Sequence, residues 1–171
     1  MKSIIFTLLI LFSAETFAYD PHDSFRGIKW GTDISQLSEE MTAAGGNGKT
    51  AYYNRKNDQL KIGEAQLSSV KYLFYEGKFY KVVISFNDLA NCVSIKNTLL
   101  KIFGKAYQGN KYVERYTWRL VNSKSQQPLV DVLLDYSDVR KEGGIIFSYI
   151  PIENKIHLDI DGSNRRGVKD I

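Results

Sequence analysis

The sequence predicts an α+β fold: a two-layer antiparallel sheet with two main helices packed on one face, in the order β-α-β-β-β-α-β-β-β. Three patterns support this prediction: a hairpin pattern at Lys71–Phe86, an apolar stripe with helical spacing at Leu89–Phe103, and alternating apolar and polar residues over most of Tyr112–Tyr136. A sheet with one apolar face must bury that face against another layer, and the predicted helices supply it.

The hairpin at Lys71–Phe86 is the segment around which we expect the sheet to form. Both arms are rich in aromatic and β-branched residues, which favour strands. Between the arms, Gly77 predicts a tight turn because glycine adopts a positive φ at little cost. An isolated hairpin is barely stable in water, so further strands and a covering helix are expected.

Two helices are predicted, one before and one after this hairpin. The first begins at Thr32, whose hydroxyl is a suitable N-cap, and extends to about Ala44. Its apolar residues recur at helical spacing, at Ile34, Leu37 and Met41. The second is Leu89–Phe103, with Asp88 as its N-cap and Gly104 at the position after its end, where left-handed backbone favours glycine.

The remaining elements are predicted to be strands. They are expected at Phe25–Trp30, Thr50–Asn54, Val70–Phe86 (two arms), Tyr112–Val121, Leu129–Tyr136 and Ile145–Ile152. A last edge strand is predicted at 156–160, where apolar and polar residues alternate, and Leu60–Leu67 has no clear pattern.

The N-terminus has the pattern of a secretory signal peptide. Lys2 precedes an apolar run at 4–12, and Ala18 ends a small-x-small cleavage site, so Tyr19 would be the first mature residue. The protein is therefore expected to be exported, to the periplasm in a Gram-negative bacterium and otherwise to the medium. We divide the chain into a signal peptide at 1–18, a single α+β domain at 19–160 and a flexible C-terminal tail at 161–171.

Charge and cysteine content exclude some classes of protein. The net charge is +4, and basic residues are interspersed with acidic ones, which is unlike a nucleic-acid-binding face. No segment approaches the ~20 apolar residues of a membrane span. Cys92 is the only cysteine, so no internal disulfide forms. We interpret Cys92 as a small buried hydrophobic residue, and an intermolecular disulfide stays open as an alternative.

No catalytic or metal-binding pattern is present, and we predict neither an enzyme nor a cofactor. The two histidines, His22 and His157, lie near opposite ends of the chain, whereas a zinc site needs three or four nitrogen or sulfur ligands. No phosphate-binding loop and no nucleophile elbow occur. Asp131 and Asp135 share a strand face about 13 Å apart, which is wider than the ~5–9.5 Å of a glycosidase carboxylate pair.

The candidate binding surface is the predicted strand Tyr112–Val121. Its alternation places two arginines and a threonine on one face, and Asp131 and Asp135 are expected across the next hairpin. One interpretation is a set of cross-strand charge pairs on a solvated sheet face. The other is a docking surface, because arginine and tyrosine are enriched at interface hot spots. The candidate binding residues are Arg115, Tyr116, Thr117 and Arg119.

Two motifs carry a resemblance to known proteins. The opening Phe25-x-Gly27-x-x-Trp30-Gly31-Thr32 and the later hairpin at Tyr72–Val82, followed by a helix that ends in glycine, resemble a group of uncharacterised small exported bacterial domains. The resemblance covers roughly Phe25 to Gly104 and implies a fold and an export route, without an activity or catalytic residues. The order of elements is also similar to β-lactamase-inhibitor-protein-like domains at the level of fold, which does not determine function.

Three functional hypotheses follow. The first is an exported non-catalytic binding module, inhibitor- or immunity-like, that engages a protein or an envelope component through the open sheet face or the loops at one end. The alternative is a cell-envelope hydrolase whose carboxylates are brought together by the fold. A third hypothesis is a structural envelope protein that oligomerises through the predicted C-terminal edge strand.

Overall fold

The fold is α+β, built on one seven-stranded antiparallel sheet and two helices. The structure is a computed structural model that describes residues 22–167, with the side chains of 22–162. The predicted signal peptide and the last four residues of the predicted tail lie outside the described residues. The strands of the main sheet stand in the order β3-β4-β7-β8-β11-β10-β9.

The elements follow one another along the chain in two runs, before and after the first helix. The first run is β1 (Ser24–Phe25), β2 (Ile28–Lys29), a 3-10 turn (Ile34–Leu37), β3 (Met41–Asn47), β4 (Thr50–Arg55), β5 (Lys61–Ile62), β6 (Ala65–Gln66), β7 (Ser69–Tyr75) and β8 (Lys78–Asn87). The second run is α1 (Leu89–Phe103), β9 (Arg115–Val121), β10 (Pro128–Ser137), β11 (Glu142–Tyr149) and α2 (Ile150–Gly167).

The predicted hairpin is confirmed and lies at the centre of the main sheet. Strands β7 and β8 are joined at Glu76 and Gly77, whose φ angles are 47° and 78°. Strand β8 also pairs with β11, and this pairing joins the two halves of the chain into one sheet. Predicted helix Leu89–Phe103 is also confirmed as α1, with Asp88 accepting a hydrogen bond from the Asn91 backbone as its N-cap.

One face of the main sheet carries the hydrophobic core, and we call it the core face. Cross-strand pairing aligns Tyr72, Val82, Phe147, Val132 and Trp118 on this face, and all five are buried. Helix α1 covers them with three buried side chains, those of Cys92, Ile95 and Leu99. The indole Trp118 Nε1 donates to the Gly104 carbonyl at 3.0 Å, which ties the end of α1 to the sheet.

The predicted helix at Thr32–Ala44 is wrong. Asp33 caps a single 3-10 turn by accepting from the Ser35 backbone, and the chain then enters strand β3 at Met41. Beyond Met41 the segment has no further large apolar residue, so a helix there would bury little. Pairing with β4 instead supplies backbone hydrogen bonds, and the φ of 152° at Gly45 is incompatible with a helix.

The segment with no clear pattern, Leu60–Leu67, forms the small β5–β6 hairpin. It packs beneath α1, with Ala65 and Leu67 buried in the core. Gly63 makes its turn at a φ of 56°, close against the Thr98 side chain of α1.

The C-terminal segment is a helix, so the predicted edge strand at 156–160 is wrong. Strand β11 ends at Tyr149, and α2 includes 161–167, so the prediction of a flexible tail is wrong for these residues. Pro151 lies in the first turn of α2, where a missing N–H does not cost a helical hydrogen bond. The alternation of Leu158 and Ile160 misled the prediction, since these side chains are 72% and 53% exposed.

The two helices contact opposite faces of the main sheet, which differs from the prediction of both on one face. Lys81 and Tyr75 are next in sequence to the core-face residues Val82 and Phe74 and so lie on the second face, which we call the open face. The Lys81 ammonium lies 2.5 Å from a Glu153 carboxylate oxygen, and the Tyr75 hydroxyl donates to Asp159 at 2.6 Å. Helix α2 therefore crosses one end of the open face.

Gly143→Ala should destabilise the fold by about 1–3 kcal/mol, the usual cost of overpacking a core. A Cβ at Gly143 would lie 2.4 Å from the Phe86 ring and 2.7 Å from the Asp135 carbonyl oxygen. Urea denaturation monitored by tryptophan fluorescence measures the change. The matched control is Gly162→Ala in α2, where no atom lies within 4 Å of the new Cβ. Equal stability of the two variants would contradict this account of Gly143.

Candidate functional site

The open face has a row of aliphatic side chains at its centre. Val83 of β8, Ile146 of β11 and Leu133 of β10 are paired across neighbouring strands, and we call them the aliphatic row. All three are half-buried and none belongs to the core cluster, because the sheet itself separates them from it. Lys71 and Thr117 continue the row at its two ends.

Charged and hydroxyl side chains border the aliphatic row on both sides. Towards α2, the neighbouring row is Leu73, Lys81, Ser148, Asp131 and Arg119. Away from α2, it is Ser69, Ser85, Gly144, Asp135 and Arg115. The open face thus presents an apolar strip between two polar strips.

The two arginines of β9 pair with the two aspartates of β10, as the sequence predicts. Arg115 donates two hydrogen bonds to Asp135, at 3.0 and 2.9 Å, and Arg119 donates two to Asp131, at 2.8 and 2.9 Å. The carboxylate raises the pKa of each arginine. Because both arginines are more than 60% exposed, these pairs contribute little to folding and leave the guanidinium groups accessible.

Three of the four candidate binding residues lie together, and the fourth does not. Arg115, Thr117 and Arg119 share the open face of β9. Tyr116 is on the core face, where its hydroxyl donates to Glu114 at 2.8 Å and accepts from Lys96 at 3.3 Å. Tyr116 is therefore placed to support the middle of α1, through Lys96, rather than to join the open face.

The aliphatic row was missed by the sequence analysis, although a signal for it existed. Consecutive apolar residues occur at Val82-Val83-Ile84, Leu133-Leu134 and Ile145-Ile146. Successive residues of a strand point to opposite faces, so such runs require apolar side chains on both faces. The runs indicate a sheet with a second face that is apolar at its centre.

Helix α2 forms one wall of the open face and is attached by ion pairs and by apolar contact. Lys49 lies 2.7 Å from a Glu76 oxygen and donates to Asp159 at 2.9 Å. Lys155 pairs with the other Glu76 oxygen. Among residues 150–162, none is fully buried, and Ile156 is half-buried. Two tyrosines of the strands that lie outside the core cluster, Tyr75 and Tyr80, are each 5% exposed. Exposed ion pairs contribute little on their own, so α2 is attached by apolar contact as well as by these pairs.

Hydrogen bonds and charges within this cluster shift the pKa values of its members. The Tyr75 hydroxyl and then Lys49 lower the pKa of Asp159. Lys155 and then Lys49 lower the pKa of Glu76. Both carboxylates therefore favour the attached position of α2 in their ionised form.

A cleft of about 490 Å³ lies where α2 meets the open face. Its floor includes Arg119, Asp131 and Ser148. The flank of α2 contributes a side wall through Ile150, Asn154 and His157. The cleft is continuous with the polar strip next to α2.

Histidine, cysteine and carboxylate side chains are the groups most often used to bind metals or to catalyse reactions. No three His, Cys, Asp or Glu side chains within 22–162 are positioned to hold a metal ion. His22 Nδ1 lies 3.1 Å from the Val121 carbonyl oxygen, at the end of strand β9. Burial raises the pKa of the Cys92 thiol to about 11, and Cys92 is fully buried as predicted.

Asp131 and Asp135 do not form a carboxylate pair of the kind that a hydrolase uses. Each is held by its own arginine on β9, and the register separates them by four residues of β10.

In the part of the chain that the structure describes, neither helix has the length and apolar character needed to cross a membrane.

No protein-family model, curated protein or solved structure matches this chain. The resemblance to small exported bacterial domains and to β-lactamase-inhibitor-protein-like domains therefore stays a prediction.

Asp159→Asn should loosen α2 without unfolding the sheet, because it removes the charge that Lys49 and Tyr75 bind. Amide hydrogen exchange by NMR at neutral pH should be faster in α2 than in the wild type, with α1 as internal reference. The matched control is Asp161→Asn, which removes an exposed carboxylate from the same helix.

Acid should have the same effect on the wild-type protein. Because the pKa values of Asp159 and Glu76 are lowered, their ionised forms stabilise the attached α2 at pH values above the ordinary carboxylate pKa of about 4. This stabilisation is lost as the pH falls from that value through the lowered pKa values. As the pH is lowered, the NMR amide shifts of α2 should change at a higher pH than those of the core strands.

Equal amide exchange in the Asp159→Asn and Asp161→Asn variants would show that the cluster does not hold α2.

Proposed function

We propose that this chain is an exported, non-catalytic binding module that engages a protein or envelope component through the open face of its sheet. The observation that carries the proposal is the aliphatic row of Val83, Ile146 and Leu133, set between two polar strips and outside the core. Burial of such a strip by a partner would supply the hydrophobic contribution to binding. An inhibitor- or immunity-like role belongs to this class.

The arrangement of charges supports the same conclusion. An interface generally has an apolar centre and a polar rim, with arginine among its most frequent hot-spot residues. Arg115 and Arg119 stand at the rim of the aliphatic row, oriented by bidentate bonds to Asp135 and Asp131. Their guanidinium planes are pre-organised, so a partner would lose less side-chain entropy in contacting them.

The other two hypotheses receive no comparable support. A hydrolase would need two carboxylates at working distance, and Asp131 and Asp135 each pair with an arginine instead. The edge strand expected at 156–160, on which oligomerisation through the C-terminus rested, is part of helix α2.

Arg115→Ala/Arg119→Ala should lose the partner while remaining folded. The mature chain, 19–171, is used as bait in envelope extract, and the partner is then purified and its affinity measured by calorimetry. Because hot-spot truncations typically cost more than about 1–2 kcal/mol, we expect the affinity to fall at least about tenfold. The matched control is Lys101→Ala/Lys105→Ala, which removes two exposed cations from the α1 side of the sheet.

The comparison of these two variants decides the proposal. Loss of affinity in the arginine variant alone supports docking on the open face. Equal affinity of both variants and the wild type would place the binding surface elsewhere. Thermal denaturation of each variant checks that the fold is retained.

Export makes a separate prediction about the mature N-terminus. The full-length chain expressed in a Gram-negative host should be recovered from the periplasm, with Tyr19 as its first residue, because signal peptidase cleaves after small residues such as Ala18. N-terminal sequencing of the periplasmic protein measures this. Ala18→Leu is the control variant, and it should keep the precursor uncleaved. An intact N-terminus in the wild-type protein would contradict export by this route.

A further inference from the structure

Helix α2 shows how the open face of this sheet accepts a helix. It crosses the strands and turns its half-buried residues Ile152 and Ile156 to the sheet at a spacing of four. Its charged residues pair with the strands beneath, as Glu153 does with Lys81 at 2.5 Å. This contact therefore has two features, an apolar stripe on the helix and ion pairs between the helix and the strands beside that stripe.

The uncovered part of the open face repeats those elements. The aliphatic row corresponds to the strand residues that α2 covers. Bidentate ion pairs border the row, with Arg119 and Asp131 on the side of α2 and Arg115 and Asp135 on the other side. Both signs of charge are therefore available on each side of the row. The cleft along the α2 flank, lined by Ile150 and Asn154, remains open beside it.

The dimensions of the row fit one helix placed next to α2. Successive rows of one sheet face are about 6.7 Å apart, so the aliphatic row lies one to two rows, or about 7–13 Å, from the rows that α2 contacts. Packed helices are about 8–10 Å apart. Val83 and Leu133 are two strand spacings apart, or about 9.6 Å. Residues i and i+7 of a helix are separated by a similar rise of about 10.5 Å.

These observations carry an inference that rests on the proposed function. We propose that the partner presents an amphipathic helix, which lies beside α2 across strands β8, β11 and β10. Its apolar residues at i, i+3 or i+4, and i+7 cover Val83, Ile146 and Leu133. Its acidic and basic flanking residues meet the arginines and aspartates of the two polar strips, and one flank fills the cleft against α2.

A helix fits this surface better than an extended peptide does. Extended peptides add to sheets at an unpaired edge, where backbone groups are free. The aliphatic row lies on the inner strands β8, β11 and β10, whose neighbours on both sides are strands. The row also crosses the strands, as a helix packed on the face of a sheet does.

Site-specific photo-crosslinking tests the inference. A photoreactive phenylalanine analogue replaces Leu133 in the full chain, which is expressed in its native host and irradiated. The control places the same analogue at Ile102 of α1, an exposed aliphatic residue on the opposite side of the sheet. The crosslinked partner segment is identified by mass spectrometry and synthesised as a peptide. Circular dichroism, with and without the mature chain, then measures its helicity.

We expect crosslinking from position 133 alone, to a segment with apolar residues at i, i+3 or i+4, and i+7. The peptide should gain helicity on binding, and a central proline should weaken its affinity about 100-fold, since proline costs a helix interior about 3 kcal/mol. Alanine at the same central position is the control substitution. Thermal denaturation of both labelled chains checks their folding.

The remaining outcomes separate this inference from the proposed function. A crosslink from position 133 to an extended segment, a glycan or a lipid would overturn the helical partner and leave docking on the open face intact. No crosslink from position 133, with the arginine variant still losing its partner, would also overturn it. The absence of both effects would overturn the helical partner and the open-face docking together.

Discussion

The pairing of β8 with both β7 and β11 is the constraint on which the rest of the structure depends. It joins two antiparallel halves into one sheet and fixes which side chains of every strand share a face. Because a shift by one residue would exchange the two faces, the register that buries Val82 also exposes Val83. The core under α1 and the aliphatic row on the other side therefore have a common origin.

The two faces differ in how they hold their helices. On the core face, α1 buries Cys92, Ile95 and Leu99, so its attachment is mainly hydrophobic. On the open face, α2 is held both by its half-buried isoleucines and by the ion pairs of Lys49 and Lys155 with Asp159 and Glu76. Attachment through exposed ion pairs is weaker and depends on pH and ionic strength. Helix α2, which forms the wall of the candidate binding surface, is therefore the helix whose attachment responds more to pH and ionic strength.

Local patterns predicted the central elements well because their signals were strong and mutually consistent. The β7–β8 hairpin had aromatic arms and a glycine turn, and α1 had a cap at both ends. The cross-strand pairs of Arg115 and Arg119 followed from strand alternation. The predictions failed at Met41 and at Leu158, where short apolar patterns fitted a helix and a strand equally. Contacts with neighbouring elements decided the structure of these two segments. The segment that begins at Met41 pairs with β4, and the segment that contains Leu158 belongs to α2, which crosses the open face.

The sequence by itself determined the β7–β8 hairpin, helix α1, strands β9 to β11 and the polar and apolar alternation of the candidate surface. These follow from interactions within a few residues, such as capping, turn geometry and side-chain periodicity. Only the tertiary structure decided that α2 lies on the face opposite to α1, and that Val83, Ile146 and Leu133 form one row. These three residues are up to 63 positions apart, and no local pattern encodes which strands become neighbours.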